Sequence, residues 1–235
     1  PGHRKAWNAM DTAIHFSNNT IKIVTGQAGR DRVRLNSCKT VPLPEGVLIN
    51  GLITDDGRLK EILTGLRRSG AIGGKAAMVI DSSDILSRAI EIPFMKPANI
   101  QKIVGTEFDN LDTAAEAMLF DYTVLEGRIG SENRGRVLCC AMPKAMLDSY
   151  RSLFAAAGIQ PTVCDTGLNC LIKAASLFPD LKVSPCVLAT IDSRVFSCAL
   201  YAEGQYLFSN RYPLMAEPGT PDYAVEVAGR LSAIH

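Results

Sequence analysis

The sequence predicts an α/β protein with a duplicated architecture and a cleft between its two halves. Short β-like runs alternate with amphipathic helical segments along the chain, as in a sheet that is covered by helices. One segment near each end repeats the order of strand, polar turn and second strand, which indicates a duplication.

Composition narrows the class of protein. The 235 residues are 47% hydrophobic and 21% charged with a net charge of +1, so the charge balance favours neither nucleic acid nor an anionic membrane. No apolar run approaches the roughly 20 residues that a membrane-spanning helix needs. Seven cysteines without a Cys-x-x-Cys motif favour a reducing cytoplasm.

The histidines argue against two kinds of catalytic site. Histidine occurs only at positions 3, 15 and 235. The chain therefore has few histidines from which a Ser-His-Asp triad or a histidine-rich zinc site could form. We therefore predict no catalytic residue and no metal ligand.

The two ends of the sequence differ from the rest. Residues 1–9 resemble a vector-derived lead, because they precede Met10 without the apolar stretch of a targeting peptide. The sequence stops within a helical pattern, so we expect the second half of the fold to be truncated or partly missing.

The first elements form one α/β layer. The first hairpin, residues 14–24, contains two β-like runs on either side of a polar turn, and a third strand is predicted over 33–41. A helix follows, because Leu59, Leu63 and Leu66 recur on one face. The glycines at 70, 73 and 74 end it without a phosphate-binding Gly-x-x-x-x-Gly-Lys pattern, and we interpret them as a connection to a buried strand over 75–80.

A smaller unit is predicted next. Its elements are a strand over 85–92, a helix opened by Pro97, and strands over 120–125 and 136–142.

The remaining elements return to the pattern of the first layer. They are a helix over 144–157 ended by Gly158, a short strand near 162–164, a helix over 168–178, and an antiparallel meander over 186–191, 195–201 and 206–212. The meander turns at Glu203-Gly204.

Several ordered motifs point to one family. They are Val41-Pro42-Leu43-Pro44-Glu45-Gly46-Val47, Asn50-Gly51-Leu52-Ile53-Thr54-Asp55, Arg88-Ala89-Ile90-Glu91-Ile92-Pro93-Phe94-Met95, Phe120-Asp121-Tyr122-Thr123-Val124-Leu125, and Ala155-Ala156-Ala157-Gly158-Ile159-Gln160-Pro161. In this order and spacing they resemble the type IV pilus assembly protein PilM family, relatives of the cell-division protein FtsA in the actin-like ATPase superfamily. The resemblance runs from about residue 12 to 215.

This resemblance implies an actin-like, ribonuclease H-like duplicated fold with an FtsA/PilM-type insertion. The first actin-like subdomain would comprise residues 10–82 and 144–180, the inserted subdomain 83–143, and the incomplete second actin-like subdomain 184–235.

The resemblance also predicts degenerate phosphate hairpins. Relatives carry Asp-Ile-Gly-Ser-Ser-Ser-Ile-Lys in the first hairpin, and the matching positions are His15, Ser17, Asn18, Asn19, Thr20 and Lys22. In the second hairpin, where relatives read Val-Asp-Ile-Gly, the positions are Thr190, Asp192 and Ser193. Loss of the glycine keeps backbone amides away from a phosphate, and loss of the aspartate removes a group that helps to place Mg²⁺. We therefore expect no cofactor, with ATP and Mg²⁺ kept as the alternative, and a pseudo-ATPase rather than an enzyme.

The function that the resemblance implies is that of a scaffold. It would bind the cytoplasmic tail of a PilN-like inner-membrane protein, at the inner face of the cell membrane, together with other pilus assembly proteins. Family geometry points to Ile90, Ile92 and Phe94 as partner contacts, although these apolar residues also suit a plain core.

No nucleic acid is expected, membrane association would occur only through partners, and self-association is left open. The alternatives are an ATP-binding actin-like protein of pilus assembly, or an adaptor of type II secretion or cell division.

Overall fold

A computed structural model gives the fold for residues 11–29, 32–93, 97–110, 117–126, 135–178, 184–192 and 194–234. The chain divides into two compact units, residues 1–170 and 171–235. Each unit has its own sheet and apolar core, and the two are described in turn.

The first unit is built mainly on a five-stranded sheet. Its elements in chain order are β1 (Asp11–Phe16), β2 (Thr20–Ala28), β3 (Val33–Pro42), β4 (Leu48–Ile49), β5 (Leu52–Ile53), α1 (Asp56–Arg68), β6 (Lys75–Ile80), β7 (Leu86–Ile92), α2 (Pro97–Thr106), β8 (Met118–Glu126), β9 (Gly135–Pro143), α3 (Lys144–Ala156), β10 (Gln160–Thr166) and α4 (Gly167–Ala175), whose last residues belong to the second unit. The sheet has the order β10-β6-β1-β2-β3. Strands β1, β6 and β10 are parallel, whereas β1, β2 and β3 pair antiparallel.

The core of this sheet explains why the first hairpin forms. Alternate residues of β1 are buried, and Ile14 and Phe16 are almost completely shielded from solvent. The ring of Phe16 packs edge-on against Tyr150 of α3, with 5.0 Å between ring centroids. Helix α1 adds Leu59 and Leu63 to the same core. The apolar alternation of the hairpin is thus satisfied by α1 and α3.

A second sheet of the first unit has the order β7-β9-β8 and is antiparallel throughout. Its core is shared with α2 and consists of the buried residues Ile92, Ile100, Val104, Phe108, Met118, Val137, Cys139 and Ala141. Because neighbouring residues of a strand point to opposite faces, Leu138 and Cys140 of β9 face away from α2. One face of this small sheet is therefore core, and the other is available to form a site.

The second unit contains an antiparallel meander and one further helix. The strands are β11 (Cys186–Asp192), β12 (Val195–Ala202) and β13 (Gln205–Pro213), and the helix is α5 (Pro221–Ser232). The turn between β12 and β13 places Glu203 and Gly204 at φ angles of 53° and 75°, as a tight hairpin turn of the primed type requires. Phe196 and Cys198 of β12 form its core with Leu214 and Ile234.

Most predicted elements are confirmed, but several differ in length, β10 and α4 among them. Strand β10 is longer than the predicted 162–164, because it pairs with β6 on both sides of an irregularity between Pro161 and Cys164 and an edge strand tolerates Pro161. Helix α4 ends before the predicted residue 178. The residue before a proline avoids the helical conformation, and position 179 is a proline.

The predicted domain layout stays a prediction. The two units meet at residues 170 and 171, whereas the sequence placed the start of the second half at 184. The small sheet β7-β9-β8 lies within the predicted insertion, residues 83–143.

Candidate functional site

The parallel strands of the large sheet end at the same level. Phe16 of β1 and Thr166 of β10 both pair with Ile80 of β6. In open α/β sheets, ligands bind beyond the carboxyl ends of such strands. A group of polar residues and one glycine lies here, and we call it the strand-end cluster: His15, Ser17, Asn18, Asn50, Asp81, Ser83 and Gly167.

Asp81 is central to the strand-end cluster. Its Oδ2 lies 2.9 Å from Nε2 of His15, and its Oδ1 accepts a hydrogen bond of 3.0 Å from the backbone N–H of Gly167. A Cβ at Gly167 would lie 2.5 Å from Asp81 Oδ1, so only glycine allows this approach. The carboxylate therefore joins the ends of β1, β6 and β10.

The turn of the first hairpin is bound to its neighbours in the same way. The backbone N–H of Ser17 donates to the carbonyl of Thr20 at 3.0 Å, and their hydroxyl oxygens are 2.9 Å apart. Asn18 Oδ1 accepts from the backbone N–H of Asn50 at 2.8 Å. The carbonyl of the exposed Asn19 accepts a hydrogen bond from a backbone N–H in the loop after β3.

The loop after β6 completes the cluster. Asn50 Oδ1 accepts from the backbone N–H of Ser83 at 2.9 Å, and Asn50 Nδ2 donates to Ser83 Oγ at 2.6 Å. Lys22 of β2 lies opposite His15 in the β1–β2 pairing. The structure thus brings together the predicted residues of the first hairpin.

These contacts limit what the strand-end cluster can bind. A phosphate at such a site is held by backbone N–H groups that point towards it. Here the N–H groups of Ser17 and Gly167 are engaged by Thr20 and Asp81. The carboxylate of Asp81 also adds negative charge where a phosphate would bring more.

The sequence analysis missed Asp81. The feature that could have identified it is an acidic residue directly after a buried parallel strand, at the edge of the sheet where sites form. The attention given to the hairpin itself left this carboxylate out.

The second predicted hairpin belongs to the second unit. Thr190 of β11 is exposed and pairs with Ser197, and Asp192 pairs with Val195 at the end of the hairpin. Ser193 lies outside the described residues. The two predicted hairpins are therefore in different units, and each is described by itself.

A cavity of about 350 Å³ lies between the small sheet and β10. Its lining comes from β8, β9, β10 and the starts of α3 and α4: Leu119, Phe120, Asp121, Tyr122, Thr123, Leu138, Cys140, Met142, Leu147, Cys164, Asp165, Thr166 and Asn169. Strands β8 and β10 are each the outermost strand of their sheet within the described part of the chain. We refer to this space as the cavity.

The lining of the cavity combines apolar side chains with oxygen acceptors. Leu138, Met142 and Leu147 supply apolar surface. Asp165 Oδ1 accepts hydrogen bonds from the backbone N–H of Thr166 at 2.9 Å and from Asn169 Nδ2 at 2.7 Å. The Oδ1 atom of Asn169 is buried and has no hydrogen-bond partner. A buried acceptor without a partner costs stability.

The two cysteines of the lining are not nucleophiles. Burial raises the pKa of Cys140 to about 11; the Ser87 hydrogen bond opposes this rise, and the charges of Asp121 and Asp165 add to it. Burial, with Asp165 and Cys140 as lesser causes, raises the pKa of Cys164 to about 12. Both thiols stay protonated near neutral pH, and the reactive form of cysteine is the thiolate.

The predicted partner contacts lie on the other face of the small sheet. Ile92 is buried and Ile90 is partly buried in the core with α2. Phe94 lies outside the described residues. Their role as partner contacts stays a prediction. The cavity, which the sequence analysis did not identify, occupies the opposite face.

Two further features of the described residues bear on other kinds of site. Within the described ranges, no group of three or more His, Cys, Asp or Glu residues is placed to hold a metal ion. In the part of the chain that the structure covers, no helix has both the length and the apolar character that a membrane span requires.

Comparison with known proteins identifies the family. The sequence matches the family described as Type IV pilus assembly protein PilM over residues 13–213. No curated protein matches the sequence.

Solved structures show the same fold at low sequence identity. The PilM–PilN type IV pilus biogenesis complex aligns with a TM-score of 0.73 and 15% identity, over 95% of this chain and 70% of that chain. The cytoplasmic domain of EpsL, an inner-membrane component of the type II secretion system of Vibrio cholerae, gives 0.53 and 12%, over 87% and 71%. A Bacteroides thetaiotaomicron protein with an actin-like ATPase fold and unknown function gives 0.52 and 14%, over 95% and 77%. The chain therefore has an actin-like fold and belongs to the PilM family of type IV pilus assembly proteins.

Proposed function

We propose that the protein is a cytoplasmic scaffold of a type IV pilus assembly machine, and that its cavity binds the cytoplasmic tail of a PilN-like inner-membrane protein. The observation that carries this proposal is the cavity lined by β8 and β10, the outermost strands of two sheets. An extended peptide can pair with an outermost strand while its apolar side chains enter a pocket. The similarity to a PilM–PilN complex supports the choice of partner.

Loss of nucleotide chemistry is part of the same proposal. Actin-like ATPases need open phosphate hairpins and a carboxylate for Mg²⁺. In this chain the first hairpin carries His15 and Ser17 at the matching positions, and Asp81 engages His15 and Gly167. The protein would then bind ATP weakly or not at all and would not hydrolyse it. Its place at the inner face of the membrane would follow from its partner, with other pilus proteins and self-association left open.

The direct test is a calorimetric titration with a tail peptide, a synthetic peptide with the sequence of the cytoplasmic tail of the PilN-like protein from the same organism. The cavity is blocked by Thr123→Trp, because Thr123 is in its lining. We expect the wild type to bind the tail peptide and Thr123→Trp to bind about 10-fold more weakly or worse, a loss of about 1.4 kcal/mol.

A matched control places the same bulk elsewhere. Thr40 lies on β3, where every residue except one is exposed. We expect the Thr40→Trp variant to bind the tail peptide like the wild type. Equal binding by Thr123→Trp, with its fold confirmed by circular dichroism, would locate the tail outside the cavity and refute the proposed site.

The ATP-binding alternative is separated by a second titration. The protein is titrated with Mg-ATP under the same conditions, and we expect no heat of binding at micromolar concentrations. Micromolar affinity, together with ATP hydrolysis, would favour an active actin-like ATPase of pilus assembly.

A further inference from the structure

The cavity carries charge as well as apolar surface. Two of its lining residues, Asp121 and Asp165, are carboxylates, and its lining contains no Lys, Arg or His among the described residues. Asp121 pairs with Cys140 across β8 and β9. Asp165 of β10 lines the same cavity. An occupant of the cavity therefore meets negative charge from β8 and from β10.

The carboxylate of Asp165 is held in place before any ligand binds. Its Oδ1 accepts hydrogen bonds from Thr166 and Asn169, which fix the orientation of the group. Asn169 in turn is fixed at the start of α4, where its backbone N–H donates to Thr166 Oγ1 at 3.2 Å. A receptor group that is ordered in advance loses little conformational freedom on binding.

The third polar group of this region is the amide of Asn169. Its Oδ1 atom is buried and accepts no hydrogen bond, so a ligand in the cavity does not reach it unless the side chain moves. The two carboxylates are therefore the groups that select the ligand, because they repel anions and attract cations.

We infer that the cavity recognises an extended peptide that carries a lysine or arginine next to an apolar residue. The apolar side chain packs against Leu138, Met142 and Leu147, and the cation lies against Asp121 and Asp165. This inference rests on the proposed function of the cavity, and it adds the residue type that the cavity selects.

Two isosteric variants test the role of charge. Asp121→Asn and Asp165→Asn remove one negative charge each, and the asparagine at 165 keeps an oxygen for its two existing hydrogen bonds. We expect Asp165→Asn to weaken tail-peptide binding about 10-fold and the more exposed Asp121→Asn about 3-fold, since pairs with exposed partners are weaker. Asp109→Asn, an exposed residue outside the cavity, is the control and should bind like the wild type.

Salt and peptide variants separate charge from shape. Wild-type binding should weaken as ionic strength rises, and this dependence should be smaller for Asp165→Asn. A tail peptide in which every Lys and Arg is replaced by Gln should bind about 10-fold more weakly than the native tail to the wild type. The difference between the two peptides should be smaller on Asp165→Asn, which keeps only Asp121. A tail without Lys or Arg that still binds, or equal affinity of all the variants, would overturn the inference.

A second probe keeps the inference testable if the tail peptide does not bind. A random dodecapeptide library on phage is selected on the wild type and counter-selected on Thr123→Trp. We expect the enriched peptides to carry Lys or Arg beside an apolar residue. Enrichment of such peptides without tail binding would refute the proposed partner and keep the inference, whereas enriched peptides that lack cations would refute the inference alone.

Discussion

The strand-end cluster and the cavity are two polar sites of the same unit that differ in how their charged and polar groups are balanced. In the strand-end cluster, the polar groups are paired with one another: Asp81 binds His15 and Gly167, and Asn18 binds Asn50. In the cavity, the lining contains Asp121 and Asp165 but no Lys, Arg or His among the described residues. A site whose groups satisfy each other gains little from a ligand, whereas two carboxylates without a basic residue in the lining gain from a cation. The comparison supports the proposal that a ligand binds in the cavity rather than at the strand ends.

The same difference separates structural from functional use of polar residues. The strand-end cluster ties β1, β6 and β10 together through one carboxylate, so its residues contribute to stability. The cavity keeps acidic and amide oxygens at some cost to stability. Substitutions in the strand-end cluster should therefore change the free energy of unfolding. Substitutions in the cavity should change the affinity for the tail peptide.

The largest expected effect concerns the hairpin as a folding element. Phe16→Ala removes a fully buried ring that packs on Tyr150 and should cost about 3–5 kcal/mol of unfolding free energy. Urea unfolding followed by circular dichroism measures it. Leu35→Ala, on the same sheet with 64% of its surface exposed, is the control and should change stability by less than about 0.5 kcal/mol. A cost below about 1 kcal/mol for Phe16→Ala would show that the hairpin is not held by this core.

The second effect tests the structural role of Asp81. Asp81→Ala leaves the backbone N–H of Gly167 and the ring of His15 without their acceptor, and should cost about 2 kcal/mol. Thermal or urea unfolding gives the value. Asp84→Ala, an exposed residue of the same loop, should stay within about 0.5 kcal/mol of the wild type. We expect tail-peptide binding to be unchanged in both variants. Equal stability of the two variants would show that Asp81 does not stabilise the ends of β1, β6 and β10.

The third effect concerns a residue of the cavity, for which we expect a change in binding rather than in stability. Asn169→Ala removes a hydrogen bond to Asp165, but it also removes the buried Oδ1 atom that has no hydrogen-bond partner. The free energy of unfolding should therefore change by less than about 1 kcal/mol. Binding of the tail peptide should weaken about 5-fold, or about 1 kcal/mol. Calorimetry and urea unfolding of the same variant measure both quantities. Unchanged binding would indicate that the peptide does not need Asn169 to orient the carboxylate of Asp165.

The smallest expected effect concerns Asn18, in the turn of the first hairpin. Asn18→Ala removes the acceptor for the backbone N–H of Asn50 and should cost about 1 kcal/mol of unfolding free energy without any change in peptide binding. The matched variant is Asn110→Ala, at an exposed asparagine outside the strand-end cluster, for which we expect a smaller loss. Weaker tail binding by Asn18→Ala would mean that the strand-end cluster and the cavity are not independent.

Local pattern was enough to predict the first hairpin and the meander. Alternation of Ile14 and Phe16 with polar residues defines a half-buried strand, and Glu203-Gly204 defines the turn between β12 and β13. These elements are determined by residues that are close in sequence. The family resemblance then predicted an actin-like fold of the PilM type, and the family match and the solved structures confirm it.

The cavity could not be predicted from local pattern. Asp121 and Asp165 are far apart in the sequence, and they line one cavity only because β8 and β10 end two separate sheets. Strand periodicity showed that Ile90 and Ile92 share a face, but not that α2 covers it. Knowing which face of the small sheet lies on a core required the packing of a helix against it, which a single sequence does not encode in any short pattern.

The central claim is that this chain binds a peptide rather than a nucleotide, and one paired calorimetric measurement tests it most directly. A single preparation of the protein is titrated with the tail peptide and, separately, with Mg-ATP. We predict saturable binding of the tail peptide, lost in Thr123→Trp, and no binding of Mg-ATP at micromolar concentrations. Micromolar binding of Mg-ATP together with no binding of the tail peptide would contradict the account.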